Sequence, residues 1–75
     1  MYTPDEKMAT RIASDFTYHA PKPGQGERYE TIRMKAYNLA YDLLTLTPPS
    51  REQSLALTAL EEVVMWANAA IARGE

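Results

Sequence analysis

A chain of 75 residues has room for one domain with a small core, and below roughly 70–80 residues such a core seldom supplies more than about 3–5 kcal/mol without a staple. The absence of cysteine excludes disulfides and thiolate metal sites. A net charge of −2 argues against a protein held on duplex nucleic acid by counterion release, which needs a basic face neutralising many phosphates.

In chain order, Thr3, Pro4, Asp5 and Glu6 predict a helix start, with a hydroxyl N-cap, proline at the first helical position and glutamate three residues after the cap. This first helix runs from about residue 4 to 14. Met8 and Ile12, with Phe16 one step further, give it a narrow apolar edge to bury, and it is too short to be stable alone. These residues hold no long apolar run, so the sequence predicts neither a signal peptide nor a membrane span, and a soluble cytoplasmic protein.

Residues 15–26, DFTYHAPKPGQG, contain two prolines and two glycines and read as a loop. It carries Tyr18, the only histidine (His19), Lys22 and the turn Gly24-Gln25-Gly26.

A second helix is expected over about 27–46, with Glu27 and Glu30 in the first turn, where the helix dipole favours them. Its core stripe is Tyr29, Ile32, Ala36, Leu39, Leu43 and Leu46. Tyr37 and Tyr41 lie off that stripe, four apart, and suggest a further contact surface. Thr47-Pro48-Pro49 ends the helix, because a residue before proline resists the α conformation. Ser50 and Gln53 form a capping box for a third helix over about 51–73, and Gly74 is placed for a left-handed cap. So short a break between two long helices predicts an antiparallel hairpin in a single all-α domain of 75 residues.

The third helix has two apolar seams where a lone surface helix needs one. Leu57, Leu60, Val64, Ala67 and Ile71 form the first, and Ala56, Ala59, Val63, Trp66 and Ala70 the second. One hairpin partner cannot cover both. With no other staple visible, the second seam predicts a homo-oligomer, with Val63, Trp66, Tyr37 and Tyr41 as interface residues. Asn68 lies between the seams, where its amide needs a hydrogen-bond partner.

Enzyme chemistry has little support, and the expectation is a protein that is not an enzyme. No Ser/His/Asp spacing occurs, and Glu61 and Glu62 are neighbours about 100° apart on a helix that do not converge. No metal site and no cofactor is expected, since a histidine at helical spacing from inward carboxylates is missing. Gly24-x-Gly26 alone is a weak phosphate signal. The cluster above this background is Tyr18-His19 followed by Arg28, Tyr29, Arg33 and Lys35. A loop aromatic offers a base a stacking face, and cations near a helix N-terminus meet phosphate, which makes a nucleotide-sized constellation. Equally open are core or interface tyrosines, a hydrogen-bonded loop histidine, and arginines paired with Glu27, Glu30 or a neighbouring subunit. Arg73, near the end of the third helix, complements its dipole on the plainest reading.

The string FTYHAPKPGQGERYETIR, followed by SREQSLALTALEEVVMWANAAIAR, resembles the small phage-encoded anti-CBASS sponge proteins over about Phe16 to Arg73. The resemblance implies a short helix and a long hairpin assembled as a homohexamer that sequesters cyclic oligonucleotide messengers without hydrolysing them. It implies a host bacterial cytoplasm, and neither a polymeric nucleic acid nor a membrane as partner. In a cyclic dinucleotide pocket between paired protomers, Tyr18 matches the stacking tyrosine and Arg33 the phosphate-binding cation, with Arg28 and Lys35 as alternatives in register and His19 and Lys22 as neighbours. It also implies separate cyclic trinucleotide pockets near three-fold contacts, to which Lys35 and Arg73 are assigned. The rival expectation is a helical homo-oligomer that binds a host protein and no small ligand.

Overall fold

The computed structural model describes residues 1–75 and contains three helices and no strand: α1 over Glu6–Asp15, α2 over Gln25–Leu46 and α3 over Arg51–Gly74. The fold is all-α, and its body is the hairpin of α2 on α3. Thr47 takes extended backbone ahead of Pro48, at φ −129° and ψ 150°, and Ser50 caps α3 by accepting the Gln53 N–H at 3.1 Å. The expected capping box forms by half. The Gln53 amide donates to the carbonyl and hydroxyl oxygens of Thr47, at 3.0 Å each, and so staples the turn.

The other helix ends differ from the sequence reading. Asp5, not Thr3, caps α1, accepting the Lys7 N–H at 3.2 Å, so Pro4 lies outside the helix; aspartate is the stronger N-cap residue. α2 begins at Gln25, one turn after the prolines, because Gly24 adopts a left-handed φ of +83° that turns the chain into the helix. Gly74 makes no left-handed cap: it is the last residue of α3, and Gly24 has the one positive φ.

The two seams of α3 separate as their spacing predicts. Leu57, Leu60, Val64, Ala67 and Ile71 are half-buried towards α2, while Ala56, Ala59, Val63, Trp66 and Ala70 are exposed, Trp66 at 62%. On α2 the half-buried stripe is Tyr29, Ile32, Ala36, Ala40 and Leu43. Leu39 and Leu46 are exposed, contrary to the predicted stripe. At about 100° per residue both rotate to its flank, and Ala40 takes the central place. Between the helices an apolar groove of about 580 Å³ stays open, lined by Ala36, Ala40, Leu44, Leu57, Leu60 and Val64 among others. α1 buries none of its residues, and Phe16 is 86% exposed, so the edge of Met8, Ile12 and Phe16 stays uncovered within one chain.

No hydrophobic residue is fully buried; Gln25, at 2% exposure, is the one buried side chain. The accessible surface is 6541 Å², against about 4,700 Å² for a compact monomer of this mass. The radius of gyration is 16.8 Å, against about 11 Å for a compact domain of this length. α3 is long and apolar enough, by length and composition, to cross a membrane, with a mean hydropathy of 1.4. Glu61 and Glu62 fall inside any 18-residue window of it, where acidic groups at a bilayer centre cost about 2.5–3.5 kcal/mol each. Division of the apolar residues into a packed seam and an open one accounts for the same hydropathy.

Candidate functional site

Antiparallel pairing sets the first turns of α2 beside the last turns of α3, and the segment after α1 passes over that end of the hairpin. The three elements enclose an open cleft of about 490 Å³. α2 supplies Tyr29 and Arg33, four apart; α3 supplies Asn68 with Ala72 and Ala69 with Arg73, two more such pairs. Asp15, Thr17, Tyr18, His19 and Pro21 form the remaining wall. The alanines leave room among the polar side chains of the lining. That volume lies in the range of small-molecule sites, about 300–1,000 Å³.

Three of the wall residues, Asp15, Thr17 and His19, are held by local bonds. His19 Nε2–H donates to Ser14 O at 2.8 Å, which anchors the ring to the end of α1. Thr17 Oγ1 donates to Ala13 O, closing the end of α1. Tyr18 is 84% exposed and offers a free aromatic face. Asp15 Oδ1 lies 3.3 Å from Arg73 Nη1 and its Oδ2 lies 3.5 Å from Arg11 Nε, tying α1 to the end of α3. Arg33 makes no ion pair. With Arg73 matched by Asp15, the cleft keeps one uncompensated positive charge, on Arg33.

Of the residues assigned to a dinucleotide pocket, Tyr18, His19 and Arg33 come together here, whereas Lys22 and Arg28 do not. Those two close on Glu75. Arg28 grips its carboxylate in a fork, with Nη1 2.7 Å from Oε2, and Lys22 Nζ donates to its main-chain oxygen. Gln25 completes the clamp: Nε2 donates to Ile71 O at 3.4 Å and to Glu75 Oε1 at 3.3 Å, and Oε1 accepts the Lys22 N–H at 2.9 Å. The Arg28 fork, with Gln25 second, draws the Glu75 carboxyl from its ordinary 4.5 down to about 2, and the same pairing raises Arg28.

Lys35 is exposed on α2 outside the cleft, so it does not join Arg73. Arg73 lies in the cleft with Tyr18 rather than apart from it, and also borders an adjoining hollow with Trp66, Ala69, Ala70 and Gly74. Asn68, expected to find a partner, has none within the chain: its Oδ1 is buried without a hydrogen bond. Val63, Trp66, Tyr37 and Tyr41 are all exposed. No group of three or more His, Asp or Glu side chains is placed to hold a metal ion.

Sequence reasoning missed Asp15, Thr17, Pro21 and Asn68 as cleft residues, and Gln25 altogether. The four-residue spacings 68/72 and 69/73 on α3 face 29/33 on α2 once the hairpin is drawn antiparallel, and that signal was available. Gln25 carries none, because its role depends on the end of α3 lying beside it.

The family profile described as Acb2/Tad1, hairpin domain, matches residues 8–72, which take in α2, nearly all of α3 and the loop wall of the cleft. No curated protein and no solved structure matches the chain.

Proposed function

The chain belongs to the Acb2/Tad1 hairpin family of anti-CBASS sponges, and from that membership we propose that it sequesters cyclic dinucleotides in the cleft of Tyr18 and Arg33 and returns them unbroken. The observation that carries this reading is the free guanidinium of Arg33 beside the open face of Tyr18. A base stacks on the ring, worth about 1–3 kcal/mol, and a phosphate takes the charge-assisted bonds of the arginine. Arg73 adds a second cation when a phosphate draws it from Asp15. Catalysis has no part in the mechanism, and no cofactor enters it. Sequestration is mass action: the protein works when it is abundant and holds the messenger more tightly than the effector does. It acts in the cytoplasm of the host bacterium.

The cleft is one-sided and open, so a second protomer closing over it fits the uncovered surface, and we propose a homohexamer as the working form. The hollow of Trp66 and Arg73 is the proposed seat of a cyclic trinucleotide where subunits meet. Calorimetric titration with a panel of cyclic di- and trinucleotides tests the proposal, with saturable dinucleotide binding expected. Trinucleotide should then weaken dinucleotide binding without abolishing it, because the two sites share Arg73; mutual displacement in equal measure would reduce the two sites to one. The exposed seam of Val63 and Trp66 also fits a host protein, and a panel without any binder, together with capture of such a protein, would transfer the function to that surface.

A further inference from the structure

The open seam of α3 is longer than its apolar part. Ala56, Ala59, Val63, Trp66 and Ala70 alternate spacings of three and four, and the same alternation runs on to Glu52 at one end and Arg73 at the other, all of them exposed. This is the heptad spacing of a helix that packs along another helix. The molecule is 13 Å across its shortest axis, close to the roughly 10–12 Å diameter of one helix. Its three helices thus form a single layer, whereas domains bury their apolar faces between two.

We propose that the seam is covered by α3 of a second copy, running antiparallel about a two-fold axis near Val63. This names the contact within the proposed homo-oligomer, on which it rests, and it involves no ligand. The seam is complementary to its own reverse. Reversal sets Glu52 near the partner's Arg73 at both ends, and sets the small side chains of Ala56 and Ala59 against the half that carries the partner's Trp66. An indole needs such room where helix axes approach to about 8–10 Å. A parallel pair in register instead brings Trp66 onto the partner's Trp66, Glu52 onto the partner's Glu52 and Arg73 onto the partner's Arg73. Arg73 can serve two carboxylates: Nη1 lies 3.3 Å from Asp15 Oδ1 with the side chain 39% exposed, and a guanidinium has further N–H donors. Glu52 in the first turn and Arg73 in the last each suit the dipole of their own helix. Antiparallel packing sets those opposite ends side by side. Its one like-charge approach is that of Glu62 to the partner's Glu62, beside the axis and off the seam, where solvent screens it.

Charge reversal tests the pairing in the whole protein, with light scattering on dilution as the readout. Glu52→Arg and Arg73→Glu each place like charges at both ends, and each should shift dissociation to about tenfold higher concentration. The double variant restores an opposite pair at each end and should recover wild-type assembly. In a parallel pair like faces like in every variant, so no reversal would matter. Disulfide trapping gives a second readout, because Glu52→Cys or Arg73→Cys supplies the chain's only cysteine. The two variants co-expressed should yield a linked dimer on oxidation. Glu52→Cys alone should not, its two thiols lying about 30 Å apart across the pair. A self-linked Glu52→Cys dimer, single reversals without effect, or a double reversal as weak as the singles would overturn the antiparallel pairing and leave the homo-oligomer standing. A wild type that is monomeric at every concentration would remove the homo-oligomer and this pairing together.

Discussion

In the proposed site Arg33 supplies a charge and Tyr18 a stacking surface, and each role is tested separately. Arg33→Ala removes a charge-assisted contact and should weaken cyclic dinucleotide binding by about 1.5–3 kcal/mol. Tyr18→Ala removes the stacking face and should cost about 1–3 kcal/mol per stacked base, with the helices untouched because the residue is exposed in a loop. Calorimetry reads both, and unchanged affinity in the pair would move the site elsewhere. Asp15 holds Arg73, so on the proposed function its carboxylate competes with the phosphate for that arginine. Asp15→Asn should tighten binding by about 0.2–1 kcal/mol, most at low salt, as an exposed pair of this kind is weak and easily screened. An Asp15→Asn protein with unaltered affinity at both high and low salt would show that Arg73 never meets the ligand.

At the scale of the helices, the clamp of Gln25 and Arg28 on Glu75 holds the start of α2 against the end of α3, the two elements that floor the cleft. Glu75 is depressed from 4.5 to about 2 on folding, so its contribution is fully present above pH 4.5 and is lost as the pH falls from about 4.5 towards 2. Thermal unfolding across that window should show wild type losing more stability than Glu75→Gln, with the two curves converging near pH 2. A difference that persisted unchanged to pH 2 would remove the clamp from the account. The helices themselves were legible in the sequence, through Pro48-Pro49 and Ser50 at the hairpin turn and the two seams of α3. What was not legible depended on neighbours. Thr3 and Asp5 are both competent caps, and the choice falls to the stronger one. Leu39 loses its place to Ala40 through a rotation of a few tens of degrees that spacing alone does not fix. Lys22 and Arg28 look available in the sequence because their partner, Glu75, lies some fifty residues away. Tyr18 and Arg33 were recognisable by residue type and nearness to a helix start, whereas Asn68 and Asp15 entered the cleft only through the packing of α3 and the end of α1.

The whole molecule is more open than a compact monomer of its mass, and the extra surface is what the proposed assembly would cover. It exposes about 1,800 Å² more than the roughly 4,700 Å² of a compact monomer, an excess comparable to the roughly 1,200–2,000 Å² that a stable protein interface covers in total. Trp66 is the largest group on the open seam, so Trp66→Asp should place an unpaired charge in a subunit contact and cause dissociation or unfolding. Light scattering reads the change, and a stable wild-type monomer would contradict the assembly argument. The proposed function is capture without chemistry. Its most direct test is to incubate the purified protein with a cyclic dinucleotide, remove free ligand, denature the protein by heat and identify what is released by mass. Release of the intact cyclic molecule in a fixed ratio to protein is expected, and recovery of a linear product, or of no nucleotide at all, would rule out sequestration.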